Sequence, residues 1–205
     1  RGLVESGSAV GVASAIWPHG RWRFEFAGEA NHAGTTRLVD RRDPMLTFAS
    51  TVLGAREQAA LAGALATFGR VSVEPNGTNA IASLVRAWMD SRAPDSASME
   101  QVVEAVTTLA AERGDQDGVK VTVTPESTTP VVEFDASLRD ELAALIGGGV
   151  GGSGERDGRA PVLPTGAGHD AGVLSAHVPT AMLFVRNPTG VSHSPAEHAE
   201  REDCR

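Results

Sequence analysis

The chain has 205 residues, 41% of them hydrophobic, with a formal net charge of -8. It is long enough to bury a sizeable core in one large domain or two small ones, and its interspersed acidic and basic residues argue against a nucleic-acid surface. No run of 18 apolar residues allows a helical membrane span, no basic-then-apolar signal opens the chain, and the single Cys204 excludes an internal disulfide framework, so a cytoplasmic protein in a reducing compartment is expected.

Residues 1–20 contain one short apolar run, AVGVASAIW. From residue 21, RWRFEFAG alternates polar and apolar residues through Trp22, Phe24 and Phe26, which predicts a half-buried strand. RDPMLTFASTVLGAREQAALAG then opens with Asp43 as a helix cap and Pro44 at the first helical position. Met45, Leu46, Phe48, Ala49, Val52 and Leu53 recur at helical spacing as its apolar face. ALATFGRVSVEP and NAIASLVRAWMDSR read as a hairpin around Pro75-Asn76-Gly77. A second helix is expected in SASMEQVVEAVTTLAAERG, with Ser98 and Gln101 at capping-box spacing, Val102, Val103, Val106 and Leu109 on one face, and Gly114 as its stop. GVKVTVTPE alternates again.

The order β-α-β-β-α-β predicts a ferredoxin-like sandwich over residues 21–128, two helices on one face of a four-stranded antiparallel sheet. The flanks do not belong to it. Residues 129–205 give a helix from Asp135 to about Ile146, a turn around His169 and an apolar strand in PTAMLFV. With residues 1–20 these read as parts of a discontinuous α/β domain, so the fold class is α/β with an α+β insert. The glycine-rich GGGVGGSGERDG, Gly147 to Gly158, lacks the Lys-Ser/Thr ending of a phosphate loop and reads as a surface loop.

Three histidines sit among small, turn-forming residues: His32 in GEANHAGTT, His169 in PTGAGHDAG and His193 in TGVSHSPAEH. A loop imidazole at a strand end can aim a nitrogen at a metal without distorting regular structure, and His193 follows an apolar strand closely. On residue chemistry alone a surface role is open as well. His169 suits a site beside Asp170, or a helix start capped by Asp170. Arg92 can take a carboxylate bidentately and Asn79 can donate and accept beside it. Their odd separation would place them on opposite faces of a simple alternating strand.

Taken in order, GEANHAGTT, RRDPM, GRVSVEPNGTNAI followed by DSR, GAGHDA and GVSHSPAEHAEREDC resemble the binuclear-metal amidohydrolases that include allantoate amidohydrolase, N-carbamoyl-L-amino-acid hydrolase and β-ureidopropionase. The resemblance covers essentially the whole chain, and VGVASAIWPHGRWRFEFAGEANHAGTT points to the allantoate branch. It implies a metallopeptidase-like α/β catalytic domain carrying an inserted lid domain, through which two copies form a homodimer. It implies that His193 is a metal ligand and that His32 reaches across the dimer to stabilise the tetrahedral intermediate. It further implies that Asn79 and Arg92 bind the substrate carboxylate, while Gly166, Gly168 and His169 line the pocket. The cofactor implied is a pair of divalent ions, zinc or manganese, and the substrate a small ureido acid of purine nitrogen catabolism, with no nucleic-acid or membrane partner. Most metal ligands of such enzymes come from an upstream half that is absent here, so the chain reads as a fragment expected to be inactive alone. A non-catalytic dimerisation module is the alternative of another class. Two departures stand out: Arg37, where a proline is usual, and NAIAS in place of a Val-Ile-Pro-Gly-like run.

Overall fold

The computed structural model describes residues 2–147 and 158–204. The chain divides into two compact units, Pro18–Pro130 and the paired arms Arg1–Trp17 with Val131–Arg205. The first arm carries α1 (Gly2–Ser6) and β1 (Val10–Ile16). The Pro18–Pro130 unit carries β2 (His19–Ala27), β3 (Asn31–His32), α2 (Pro44–Leu61), β4 (Leu65–Glu74), β5 (Ala80–Ile81), β6 (Leu84–Arg92), α3 (Ser96–Asp117) and β7 (Lys120–Thr129). The second arm carries β8 (Val132–Glu133), α4 (Ala136–Gly147), β9 (Val162–Thr165), α5 (Asp170–Leu174) and β10 (Leu183–Val185).

In the Pro18–Pro130 unit the sheet order is β4-β6-β2-β7, antiparallel throughout, the arrangement of a ferredoxin-like sandwich. Alternation decides the faces: Trp22, Phe24 and Phe26 of β2 and Val85, Ala87 and Met89 of β6 are buried under the helices. Phe24 meets Phe68 edge-on at 5.3 Å between ring centroids, and Phe48 bridges Phe26 and Phe68 at 5.8 Å each. Burying one such ring contributes roughly 1.5–3 kcal/mol.

Both helices depart from the sequence expectation in an instructive way. In α2 the buried positions are Pro44, Thr47, Thr51, Gly54, Ala55 and Ala59, whereas Leu46 and Leu53 are 55% and 65% exposed. The threonines can be buried because their hydroxyls are satisfied: Thr47 Oγ1 donates to Asp117 and Thr51 Oγ1 to the Thr47 carbonyl, both at 2.8 Å. Gly54 lets α3 approach, since a Cβ there would come within 2.5 Å of Leu109. In α3 the cap is Asp95, accepting from the Ser98 amide at 2.8 Å and from its hydroxyl, instead of a Ser98–Gln101 box. Gly114 does not stop the helix. It lies inside it, packed against the Val119 carbonyl, and the terminator is Gly118 at φ 65°.

In the other unit β1 is central. It pairs antiparallel with β10 over Val10–Val12 and with β8 over Ala15–Ile16, and its other edge takes β9 in parallel. A small cluster of Ala13, Ile16 and Phe134 is packed by Val132, Ala171, Met182 and Phe184. Asp135 caps α4 by accepting from the Leu138 amide at 2.8 Å. The glycine-rich stretch read as a surface loop lies, apart from Gly147 and Gly158, outside the described residues. Among the described residues no helix is long and apolar enough to cross a membrane.

Candidate active site

His32 lies on β3, which follows β2 after a tight turn. That turn requires glycine at 28, where a Cβ would come 2.1 Å from the Arg42 carbonyl. The Gly28 amide donates to Ser83 O at 2.8 Å and the Glu29 amide to Arg42 O at 2.9 Å, so both flanks of the loop are stitched down. β3 pairs with β5, setting His32 opposite Ala80, and the Ala33 amide donates to the Asn79 carbonyl at 2.9 Å. His32 and Asn79, 47 positions apart in sequence by their numbering, are therefore neighbours.

The imidazole is held by its own loop. Gly34 N donates to His32 Nδ1 at 3.1 Å, which leaves the proton of the neutral ring on Nε2, and the residue is exposed. Thr36 Oγ1 donates to the His32 carbonyl at 2.7 Å, and Arg41 donates to the Ala33 and Thr36 carbonyls. Arg37, which stands where proline is expected, has φ -61° and ψ 151°, backbone angles that proline also adopts, and its side chain grips Asp40 through two bonds. That departure therefore leaves the loop path unchanged.

Arg92 is elsewhere in the unit. It ends β6, paired with His19 and Leu65, while Asn79 and His32 belong to the opposite end, beyond Leu84 and Ala27. Eight strand steps separate Leu84 from Arg92, about 27 Å, so Asn79 and Arg92 of one copy do not meet at one carboxylate. Arg92 Nε and Nη2 donate to the two Asp90 oxygens at 2.7 and 3.0 Å. Those hydrogen bonds hold the guanidinium pKa above its ordinary value and fix the plane of the group.

In the paired arms a cavity of about 370 Å³ opens beside β9 and β10, lined by Leu163, Thr165, Gly166, Phe184, Ser192 and Glu197, among others. Gly166 lies at the end of β9 with Trp17 3.4 Å from where its Cβ would be, and Gly168 is exposed on the way to α5. His169, not Asp170, caps α5: its Nδ1 accepts from the Ala171 amide at 3.3 Å. Asp170 occupies the first turn, where a carboxylate complements the helix N-terminus.

His193 has φ 57°, a left-handed conformation uncommon for a non-glycine residue. Glu197 sustains it, accepting from the His193 amide at 2.8 Å and from the Ser192 hydroxyl at 3.1 Å. At the base of this loop Arg186 and Asp203 form a two-bond ion pair at 2.8 and 2.7 Å, with Asp203 buried. The His193 ring makes no hydrogen bond among the described residues and is exposed. Its nitrogens suit a metal, but among the described residues no three His, Cys, Asp or Glu side chains converge on one point. One imidazole does not hold a pair of metal ions, so no chemical step is assigned to a metal here.

Sequence reasoning leaves out the residues that support these side chains: Gly34 for His32, Asp90 for Arg92, and Glu197 with the Arg186–Asp203 clamp for His193. Asp90 carries a readable signal, since an acid two positions before an arginine on a strand shares its face.

Residues 7–205 match the family described as Peptidase family M20/M25/M40. The chain is 34% identical over 204 residues to an N-carbamoyl-L-amino acid amidohydrolase of Geobacillus stearothermophilus, covering 97% of this chain and 46% of that protein. It is 29% identical to an allantoate amidohydrolase of Escherichia coli (strain K12), covering 98% of this chain and 48% of that one. It thus spans about half the length of the curated relatives it matches. A crystal structure of an amidase of the hydantoinase/carbamoylase family from Burkholderia vietnamiensis superposes with a TM-score of 0.86 at 26% identity, covering 98% of this chain and 48% of that one.

Proposed function

Because the chain belongs to peptidase family M20/M25/M40, we propose that it serves a metal-dependent amidohydrolase cleaving the ureido C–N bond of allantoate. The observation that carries the reading is the pair of held groups: His32, fixed as an Nε2–H donor beside Asn79, and Arg92, whose plane is fixed by Asp90. A donor aimed at a carbonyl oxygen stabilises the negative charge that grows there as water adds. An oriented guanidinium selects substrates bearing a carboxylate. His193 would be one ligand of the divalent ions, zinc or manganese, which activate water when bound. Gly166, Gly168 and His169 would line the pocket in which the substrate lies.

A ureido acid cannot span the length of β6, so His32 with Asn79 and Arg92 act on one substrate only if they come from two copies. That supports a homodimer through the Pro18–Pro130 unit. The surface offered is the open edge of β4 together with Leu46, Leu53 and Leu61 on α2, all more than half exposed.

The relative that is 34% identical favours a second substrate, an N-carbamoyl-L-amino acid, which shares the ureido carbon and the carboxylate. Ammonia release from both substrates, measured on the protein with zinc or manganese alongside its metal content, tests the reading. The chain as it stands is expected to hold less than stoichiometric metal and to turn over neither substrate. Stoichiometric metal with turnover by this chain would sink the claim that further ligands are needed. A metal-loaded form that hydrolyses N-carbamoyl amino acids and leaves allantoate untouched would overturn the allantoate reading. A chain that dimerises and remains inactive with every metal-ligand partner supplied would be a dimerisation module.

A further inference from the structure

On the helix-free face of the β4-β6-β2-β7 sheet most of the charges around Trp88 are paired. Arg86 pairs with Glu25 and Glu74, Arg23 lies near Glu25 and Glu126, and Arg92 holds Asp90. Arg70 has no carboxylate within salt-bridge reach and no hydrogen bond among the described residues. Its guanidinium carbon instead lies 4.1 Å over the ring of Trp88. Arg21 approaches Asp90 only to 3.8 Å, with its side chain two-thirds exposed.

These two arginines border a cavity of about 340 Å³, whose lining also includes Thr67, Gly69, Trp88 and Glu126. A β-bulge between Phe68 and Arg70 makes the space. Gly69 is the extra residue, and a Cβ placed there would meet nothing within 4 Å. The rim carboxylates are already engaged: Trp88 Nε1 donates to Glu126 at 3.1 Å, and Asp90 accepts from Arg92. The donors left over are cationic, and the Trp88 indole lines the cavity with Arg70 stacked on its ring.

We propose that this cavity binds a small planar carboxylate, an aromatic or conjugated acid. Its anionic end is taken by Arg70 and Arg21, and its flat body lies over Gly69 beside the Trp88 ring that Arg70 covers. Stacking on the indole holds the Arg70 plane, so the guanidinium offers its N–H edge to a carboxylate with little further ordering. The volume, at the lower end of the range for small-molecule sites, suits a single ring. Asp90 on its rim also holds Arg92, so the site adjoins the residue proposed to take the substrate carboxylate, while its own ligand groups are Arg70 and Arg21.

The test is the set of tryptophan indole 1H–15N resonances of this chain during titration with benzoate, with benzamide and acetate run in parallel. Binding should shift Trp88 and spare Trp17 and Trp22, with an affinity of about millimolar for so small a ligand. Benzamide, lacking the charge, and acetate, lacking the plane, should each bind at least about tenfold more weakly. Arg70→Ala should abolish the shift. Gly69→Val, which adds bulk to the cavity lining and leaves both arginines in place, should weaken binding at least about tenfold, with the rest of the spectrum unchanged as proof of folding. The proposal is overturned if Trp88 does not respond, if benzamide or acetate matches benzoate, or if Gly69→Val binds like the parent chain.

Discussion

The amide of Gly34 donates to Nδ1 of His32 across 3.1 Å, and this one bond decides which nitrogen of the ring is presented outward. A long-range 15N correlation spectrum of the neutral ring should therefore place the proton on Nε2. A spectrum with the proton on Nδ1 would remove the basis for treating His32 as a hydrogen-bond donor to substrate.

Arg92 is held in the fork of Asp90, and a lysine there would offer a single point charge in place of a planar group. In active enzyme Arg92→Lys should raise KM for a ureido acid by about tenfold or more while changing kcat less, as loss of a substrate-binding contact does. A change confined to kcat would mean that Arg92 does not hold the carboxylate.

Phe24 is fully buried between Phe26 and Phe68. Phe24→Ala should destabilise the Pro18–Pro130 unit by roughly 3–5 kcal/mol through lost burial and the cavity left behind. Denaturant unfolding followed by near-ultraviolet circular dichroism gives the value, and a loss below about 1 kcal/mol would contradict the packing described.

Asp95 has a lowered pKa, chiefly because the Ser98 amide and then the Ser98 hydroxyl donate to it. A folded-state pKa below the unfolded one contributes stability that is present above the unfolded carboxylate value and lost as pH falls through the folded value. Asp95→Ala should therefore lower Tm at neutral pH, with the gap to the parent chain narrowing as the solution is acidified through that window. A gap independent of pH would assign the effect to something other than the carboxylate.

Among the described residues the two units differ in what they bury: one cluster has fifteen buried residues and the other three. Local opening costs least where few apolar contacts are made. Amide exchange should accordingly be slowest in β2, β6 and α3 and faster throughout α5 and β10. Equal protection in both units would refute this.

The β-α-β-β-α-β order can be read from the residues because β2 and β7 alternate cleanly and α2 starts at an aspartate followed by proline. The buried face of α2 resists such reading. Threonine scores as polar until its hydroxyl is known to reach Asp117 or the preceding turn, and the leucines that mark an apolar face point to solvent instead. Gly114 and Gly118 look alike in a string of letters, and only the left-handed backbone at 118 separates a packing glycine from a terminator. At the site, His32 and Asn79 meet through a two-residue strand pair, too short to leave a period, and Arg186 finds Asp203 through a fold-back that no local pattern records.

β6 acts as a fixed spacer, with His32 tethered beyond one end and Arg92 at the other. If two chains must meet to complete each site, activity is conditional on encounter: diluted below the dissociation constant of its dimer, the active enzyme would fall silent without unfolding. In active enzyme, specific activity would then rise with protein concentration before levelling off. Abundance, as well as substrate supply, would set the flux.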